Sequence, residues 1–99
     1  MADKVWKARE RDVAAYFGGW RIPVTGIDRH GADVETDDLA LQVKYGRGRP
    51  AYLKDWADGI AGKGPIGVGA VVWVSHGESI KDALVVIRAD EFKDLCQAQ

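Results

Sequence analysis

Four side chains in the first half of the chain, Glu10, Asp33, Gln42 and Lys44, are of the types that metal-assisted phosphate chemistry uses. On a helix, Glu10 falls on the stripe shared by Trp6, Val13, Ala14 and Phe17, because residues three and four apart line one face. A carboxylate on an apolar stripe must be neutralised, paired or ligated to a cation, since burying an unpaired charge is costly. Snorkelling to solvent or pairing with an arginine would also satisfy it. On a strand, period two puts Asp33 and Glu35 on one face and Val34 on the other. The plain alternative for Asp33 is the polar side of a hairpin. In Leu39-Ala40-Leu41-Gln42-Val43-Lys44, the residues Leu39, Leu41 and Val43 share one face, and Ala40, Gln42 and Lys44 the other. That second face could be no more than solvated. A tight hairpin nonetheless brings Asp33 back toward Gln42 and Lys44. A carboxylate, an amide oxygen and an ammonium, with a helical Glu over them, suit one task. Hard oxygen ligands hold Mg²⁺ beside a phosphate, and a lysine orients or deprotonates water and offsets developing charge.

The elements that must position these groups are legible in the spacing. A helix is expected from Lys4 to Phe17, stopped by Gly18-Gly19. Trp20, Ile22 and Val24 then alternate with Arg21, Pro23 and Thr25, a strand with one face buried, and Pro23 suggests an edge. Gly26 to Gly31 is a polar loop. A hairpin follows, with strands Ala32–Glu35 and Leu39–Tyr45 around the turn Thr36-Asp37-Asp38. Gly46 to Pro50 breaks the sheet, and Leu53, Trp56, Ala57 and Ile60 mark a second helix ended by Gly62 and Gly64. Val68 to Val74 and Ala83 to Ile87 read as strands buried on both faces, separated by a loop at His76 to Ser79. Asp90 is expected to N-cap a short helix carrying Phe92 and Leu95. The order α-β-β-β-α-β-β-α predicts an α/β fold, a mixed sheet of about five strands flanked by helices.

The 99 residues bound the answer to one domain over 1–99, and 46% apolar content is ordinary for a globular protein. Cys96 is the only cysteine, so no intramolecular disulfide forms and a reducing, cytoplasmic setting is expected. The charged start has no signal-peptide core, and no apolar run approaches the ~18 residues of a membrane span. A net charge of −1 excludes a polybasic nucleic-acid coat. Ten of the 14 Lys/Arg and eight of the 15 Asp/Glu lie in residues 1–54, so a polyanion would meet the first half. There is no Gly-rich phosphate loop, no Ser/His/Asp arrangement and no Cys/His zinc spacing. His76 and Glu78 form no metal-spaced set with His30.

The run Glu10 … Gly31-Ala32-Asp33-Val34 … Leu41-Gln42-Val43-Lys44 resembles the core of the PD-(D/E)xK nuclease superfamily, most closely its small Holliday-junction-resolvase-like endonucleases of archaea and phages. The likeness spans Lys7 to Phe92 and rests on the order of elements as much as on the letters. It implies a restriction-endonuclease-like core and a Mg²⁺-dependent endodeoxyribonuclease, with Mn²⁺ as a substitute metal, acting on branched or structured DNA in recombination. By the same resemblance Asp33 is the central metal ligand, Lys44 the catalytic lysine and Glu10 a further ligand, with the Val43 carbonyl contributing. Ala32 stands where the family often has Pro, a residue that shapes the turn. Gln42 stands where Asp or Glu is usual; its amide oxygen ligates Mg²⁺ without charge, which lowers metal affinity. Arg47 and Arg49 in the loop after the strand, Arg9 and Arg11 beside Glu10, and Arg29 before Asp33 are the candidate DNA contacts. Symmetric cutting of two strands implies a homodimer, in a bacterial, archaeal or phage-infected host cell. Tyr52, Trp56 and Trp73 are candidate interface aromatics, with core packing the simpler role for Trp73. Two alternatives stand beside this reading. One is a catalytically weak nuclease-fold module that binds DNA; the other is a non-enzymatic interaction protein in which Glu10 pairs with Lys44.

Overall fold

Two compact units, Met1–Arg47 and Gly48–Gln99, make up the computed structural model, which describes residues 2–22 and 32–97. The end of the first expected strand (Pro23, Val24), the loop from Gly26 to Gly31, and with it Arg29 and His30, lie outside the described residues. The element order follows the expected α-β-β-β-α-β-β-α.

In the first unit, α1 (Ala2–Phe17) packs on a three-stranded antiparallel sheet of β1 (Trp20–Arg21), β2 (Val34–Glu35) and β3 (Ala40–Leu41). The helix stripe and the sheet supply the core: Ala14 is buried and Val34, on the central strand, is fully enclosed. Gly18 ends the helix at a φ of 73°, a left-handed turn that side chains resist, and the Gly19 N–H then returns to the Ala14 carbonyl at 2.8 Å. Gly19 runs so close to β2 that a Cβ there would overlap the Glu35 carbonyl oxygen. The Thr36 hydroxyl closes the β2–β3 turn by accepting the N–H groups of Asp38 and Leu39 at 3.1 and 3.0 Å. From Leu39 to Lys44 burial alternates residue by residue, as the period of two requires, with Gln42 and Lys44 on the exposed face. Trp20 departs from expectation: it is 49% exposed, so the first strand does not bury that residue.

In the second unit, α2 (Ala51–Ile60) lies against a two-stranded antiparallel sheet, β4 (Val71–Trp73) with β5 (Leu84–Val86), followed by α3 (Ala89–Gln97). The register pairs Val71 with Val86 and Trp73 with Leu84. A single turn of 3-10 helix, Ile80–Asp82, sits between the strands, where a plain loop was expected. The five strands therefore form two antiparallel sheets, not one mixed sheet, because every pairing here is a local one that short connections allow. Burial on both faces is also corrected. Val72 and Val85 on one face are 57% and 61% exposed and Leu84 on the other is 63% exposed, since a two-stranded sheet has little to cover either face. Trp73, at 37% exposed, is no core residue either. Asp90 lies inside the first turn of α3, one residue past its start, so it is not the expected N-cap.

Two carboxylate arrangements hold this unit together. Glu91, which its position in a charged helical turn gave no reason to single out, is buried and accepts the N–H groups of Gly62 and Gly69 on one oxygen at 3.2 and 2.7 Å. At the surface, Asp58 of α2 accepts Lys54 and Arg88, each at 2.6 Å, and Arg88 also donates to both oxygens of Asp90 at 3.1 Å. The hydrogen bonds from Lys54 and then Arg88 hold the Asp58 carboxyl below its ordinary value, and the bond from Arg88 does the same to Asp90. The Arg88 guanidinium is raised in turn, first by Asp90 and then by Asp58. Both carboxyls thus titrate lower in the folded chain than in the unfolded one. Their contribution is present above the ordinary aspartate value of 3.8 and is lost as the pH falls through the depressed folded values. All the partners are exposed, so the effect is small and screened. Thermal melts should therefore show a low-salt acid loss that shrinks in ~1 M NaCl and in Asp58→Asn; equal losses under all these conditions would assign the acid sensitivity elsewhere.

Candidate functional site

The β2–β3 hairpin brings together three of the four residues whose types suggested phosphate chemistry. Val34 is the register partner of Leu41, yet the Leu41 carbonyl accepts the N–H of Asp33 at 2.9 Å. Two consecutive residues thus address one, the arrangement of a β-bulge, which interrupts a ladder and re-aims a side chain. Burial nonetheless alternates as expected, with Asp33 and Glu35 partly exposed on either side of the enclosed Val34. Asp33 points its carboxylate along the hairpin, where Oδ2 accepts the Val43 N–H at 2.7 Å. The carboxylate takes the position a strand carbonyl would hold, so the ladder ends there and Val43 is fixed by a side chain. The Asp33 carbonyl accepts the Ile22 N–H at 2.9 Å from the other side. Asp33 is therefore held from both neighbouring segments, and among the described residues its Oδ1 accepts no hydrogen bond.

Gln42 and Lys44 flank Val43 on the exposed face. Lys44 makes no ion pair among the described residues. The expectation that it would pair with Glu10 in a non-enzymatic protein is corrected: Glu10, buried at 8% exposure, accepts Arg21 Nε on Oε1 at 2.6 Å. Arg21 sits on β1 opposite Val34, one turn and a strand step after the helix that carries Glu10. A guanidinium there neutralises the buried carboxylate, as the stripe position demands. Pairing with an arginine was one of the outcomes expected for Glu10; spacing did not say which arginine, and the charge of opposite sign directly after the helix stop was the available signal.

The donor set fits a hydrated Mg²⁺ better than a closed metal cage. Asp33 would offer a carboxylate oxygen, Gln42 an amide oxygen and Val43 a carbonyl. Mg²⁺ commonly keeps several waters and takes only one or two carboxylates plus substrate phosphates. No cluster of three or more His, Cys, Asp or Glu side chains able to hold a metal occurs among the described residues. Glu10 is engaged elsewhere, by Arg21.

The candidate arginines differ in their surroundings, and Arg49 belongs to the second unit. Arg9 stacks over the Tyr45 ring at 4.9 Å and reaches Asp12 at 3.5 Å, which ties the helix surface to the residue after Lys44. Arg11, Arg47 and Arg49 are exposed. In the second unit, Tyr52, Trp56 and Trp73 form a mutually packed aromatic group with centroids 4.9 to 5.9 Å apart. A shallow groove of about 510 Å³, lined by Trp56 and Val71 to Val74, adjoins it and contains none of the four chemistry-bearing residues.

No helix among the described residues is long and apolar enough to cross a membrane. No family model, no curated protein and no solved structure matches the chain.

Proposed function

We propose that the chain is a metal-dependent endodeoxyribonuclease of the PD-(D/E)xK kind, acting as a homodimer on branched or structured DNA in the manner of a Holliday junction resolvase. The observation that carries the reading is the Asp33–Val43 hydrogen bond. It fastens a carboxylate to the extended segment just after β3, where Gln42 and Lys44 are exposed on either side of Val43. A bound Mg²⁺ supplies Lewis-acid stabilisation of the phosphate oxygens and an acidified water. The chain does the rest. Asp33 keeps Oδ1 for a cation because Oδ2 is committed to Val43, which fixes the carboxylate before substrate arrives. Lys44 places an ammonium within the same strand segment, where it orients the attacking water and offsets charge building on the phosphate. Arg9, Arg11, Arg47 and Arg49, with Arg29 beyond the described residues, are the candidates for bidentate contacts to flanking phosphates. The aromatic group of Tyr52, Trp56 and Trp73 is the surface through which two copies would meet.

A second reading is favoured by the Glu10–Arg21 pair, which removes one carboxylate from the donor set. With Gln42 adding no charge, the chain would then bind DNA and cut it weakly.

Fluorescent four-way-junction, flap and linear duplex DNA, incubated with Mg²⁺, Mn²⁺ or EDTA, separate the readings. Metal-dependent cleavage that disappears in Asp33→Asn and falls on the order of 10²–10³-fold in Lys44→Met is expected. Binding without cutting, with cutting gained in Gln42→Glu, selects the weak module. Neither binding nor cutting of any substrate overturns both.

A further inference from the structure

We propose that β4 joins two copies of the chain edge to edge, pairing antiparallel with its own copy across a two-fold axis to make one four-stranded sheet in the order β5-β4-β4-β5. The proposal rests on the reading above only for the expectation that two copies meet, and it names the strand through which they do.

The groove beside the aromatic group is lined by Trp56 and by four consecutive residues, Val71 to Val74, and by no residue of β5. Side chains on a strand alternate between faces, so four in a row reach one concavity along the strand's edge. Trp73 marks the face toward α2, because its ring meets those of Tyr52 and Trp56 at centroid distances of 5.9 and 5.1 Å. Val72 lies on the other face, opposite Val85. In the second unit β4 pairs with β5 alone. The groove thus follows the edge of β4 that has no strand partner among the described residues.

An open edge presents a row of backbone donors and acceptors, and proteins commonly guard it with charge, proline or a bulge. β4 carries none of these. From Ile66 to Ser75 there is no charged residue and no proline, and the register with β5 is regular. β5, by contrast, is bracketed by Asp82 and Arg88, the latter held by Asp58 and Asp90.

The chemistry of the groove selects a second copy as its occupant. Its lining holds no cation that would draw a phosphate backbone. An added strand there must be extended, β-branched and uncharged, and β4 itself has that composition. A two-fold axis normal to the sheet pairs a strand antiparallel with itself and sets each residue opposite one on the same face. With the axis at Val72, Val71 meets the partner's Trp73; with the axis at Trp73, Val72 meets the partner's Val74. Both registers make pairs of aromatic or β-branched residues, the kind that stabilises sheets. The same axis leaves α2 of both copies on one side, so the Trp56 of each borders the seam. β4 spans only three residues, which places the interface at the low end of specific contacts, below about 1,200 Å² in total. Self-association with a midpoint on the order of 10 μM follows.

The test is sedimentation velocity over a concentration series that spans this midpoint, with circular dichroism on the same samples. The proteins are wild type, Val72→Lys, Val72→Glu, an equimolar mixture of those two variants, and Val85→Lys. Wild type should pass from monomer to dimer. Val72→Lys and Val72→Glu should each raise the midpoint by about tenfold or more, because like charges then face each other across the seam. The mixture should recover the dimer, since opposite charges meet there. Val85→Lys changes the same face on the strand away from the seam and should associate as wild type does. Loss of the dimer in Val85→Lys to the same degree as in Val72→Lys overturns the edge pairing in favour of face-to-face packing. A mixture that does not recover also overturns it, and so does a wild type that stays monomeric throughout. Quenching of that monomer's tryptophan fluorescence by single-stranded DNA, lost in Trp56→Ala, would give the groove to nucleic acid instead. Junction cleavage measured on the same samples separates the two readings: a monomer that cuts removes the seam alone, and a dimer that cuts nothing removes the nuclease alone.

Discussion

Gly19→Ala is expected to cost the protein about 3 kcal/mol or more, measured by denaturant or thermal unfolding, and to disturb the Glu10–Arg21 pair along with the fold. The reason is a backbone approach, not an empty pocket that side chains adjust to. A Cβ on Gly19 would overlap the Glu35 carbonyl oxygen and press on the Thr36 side chain, and neither the central strand nor the turn it leads into can retreat cheaply. Gly19 is also the joint between α1 and β1, with its N–H bonded to the Ala14 carbonyl. Moving β2 away from that joint moves Arg21 relative to Glu10, because Arg21 pairs with Val34 on β2. The neighbouring Gly18→Ala provides the control. It meets no atom but must adopt a φ of 73°, so its cost should be nearer ~1 kcal/mol. Equal, small costs at both positions would mean that the joint is loose and that the pair does not depend on it.

Glu91→Ala should be of similar size, about 3 kcal/mol, with Glu91→Gln retaining most of the stability. A single carboxylate oxygen serves two backbone donors, Gly62 at the end of α2 and Gly69 just before β4. Alanine leaves both N–H groups without that acceptor in a part-buried setting, whereas glutamine keeps an oxygen that can accept from both. Gly69 itself has no room for a side chain, since a Cβ would overlap the Ile60 carbonyl oxygen. The loop therefore cannot swing its amides to other partners without losing its contact with α2. Chemical denaturation of the two variants gives the comparison directly; a glutamine variant as unstable as the alanine one would show that charge, not the acceptor, is what the loop requires.

The parts of the fold that local chemistry decides were legible in the sequence. The Gly18-Gly19 stop, the Thr36 turn and the alternation from Leu39 to Lys44 each follow from one or two residues and their neighbours, and each is observed. What depends on tertiary partners was not. Val71 to Trp73 and Leu84 to Val86 have the composition of strands buried on both faces, but composition states a preference and does not supply the covering layer. Glu91 reads as one acid among several in a polar helical turn, and only the return of the loop to α3 makes it a buried acceptor. The same holds at the candidate site. Gln42 and Lys44 lie on the face their spacing predicts, and Glu10 is buried on the stripe as predicted. Its partner could not be chosen from spacing, because an arginine eleven residues on and a lysine further along the chain are equally good candidates until the sheet register is known. The bulge at Asp33 was hidden for a related reason: an interruption of the ladder depends on where the opposite strand's carbonyls fall.

The Thr36 turn also sets an order in time. Asp33 and Val43 are only ten residues apart, joined through a turn that a threonine hydroxyl closes on its own backbone. Closing a loop of that length takes about 10–100 ns, and a hairpin settles in roughly 1–10 μs. The Glu10–Arg21 contact, by contrast, waits for a helix to dock on a sheet that must already exist. The Asp33–Val43 contact thus needs only its own hairpin to form, whereas the Glu10–Arg21 contact needs a docked helix as well.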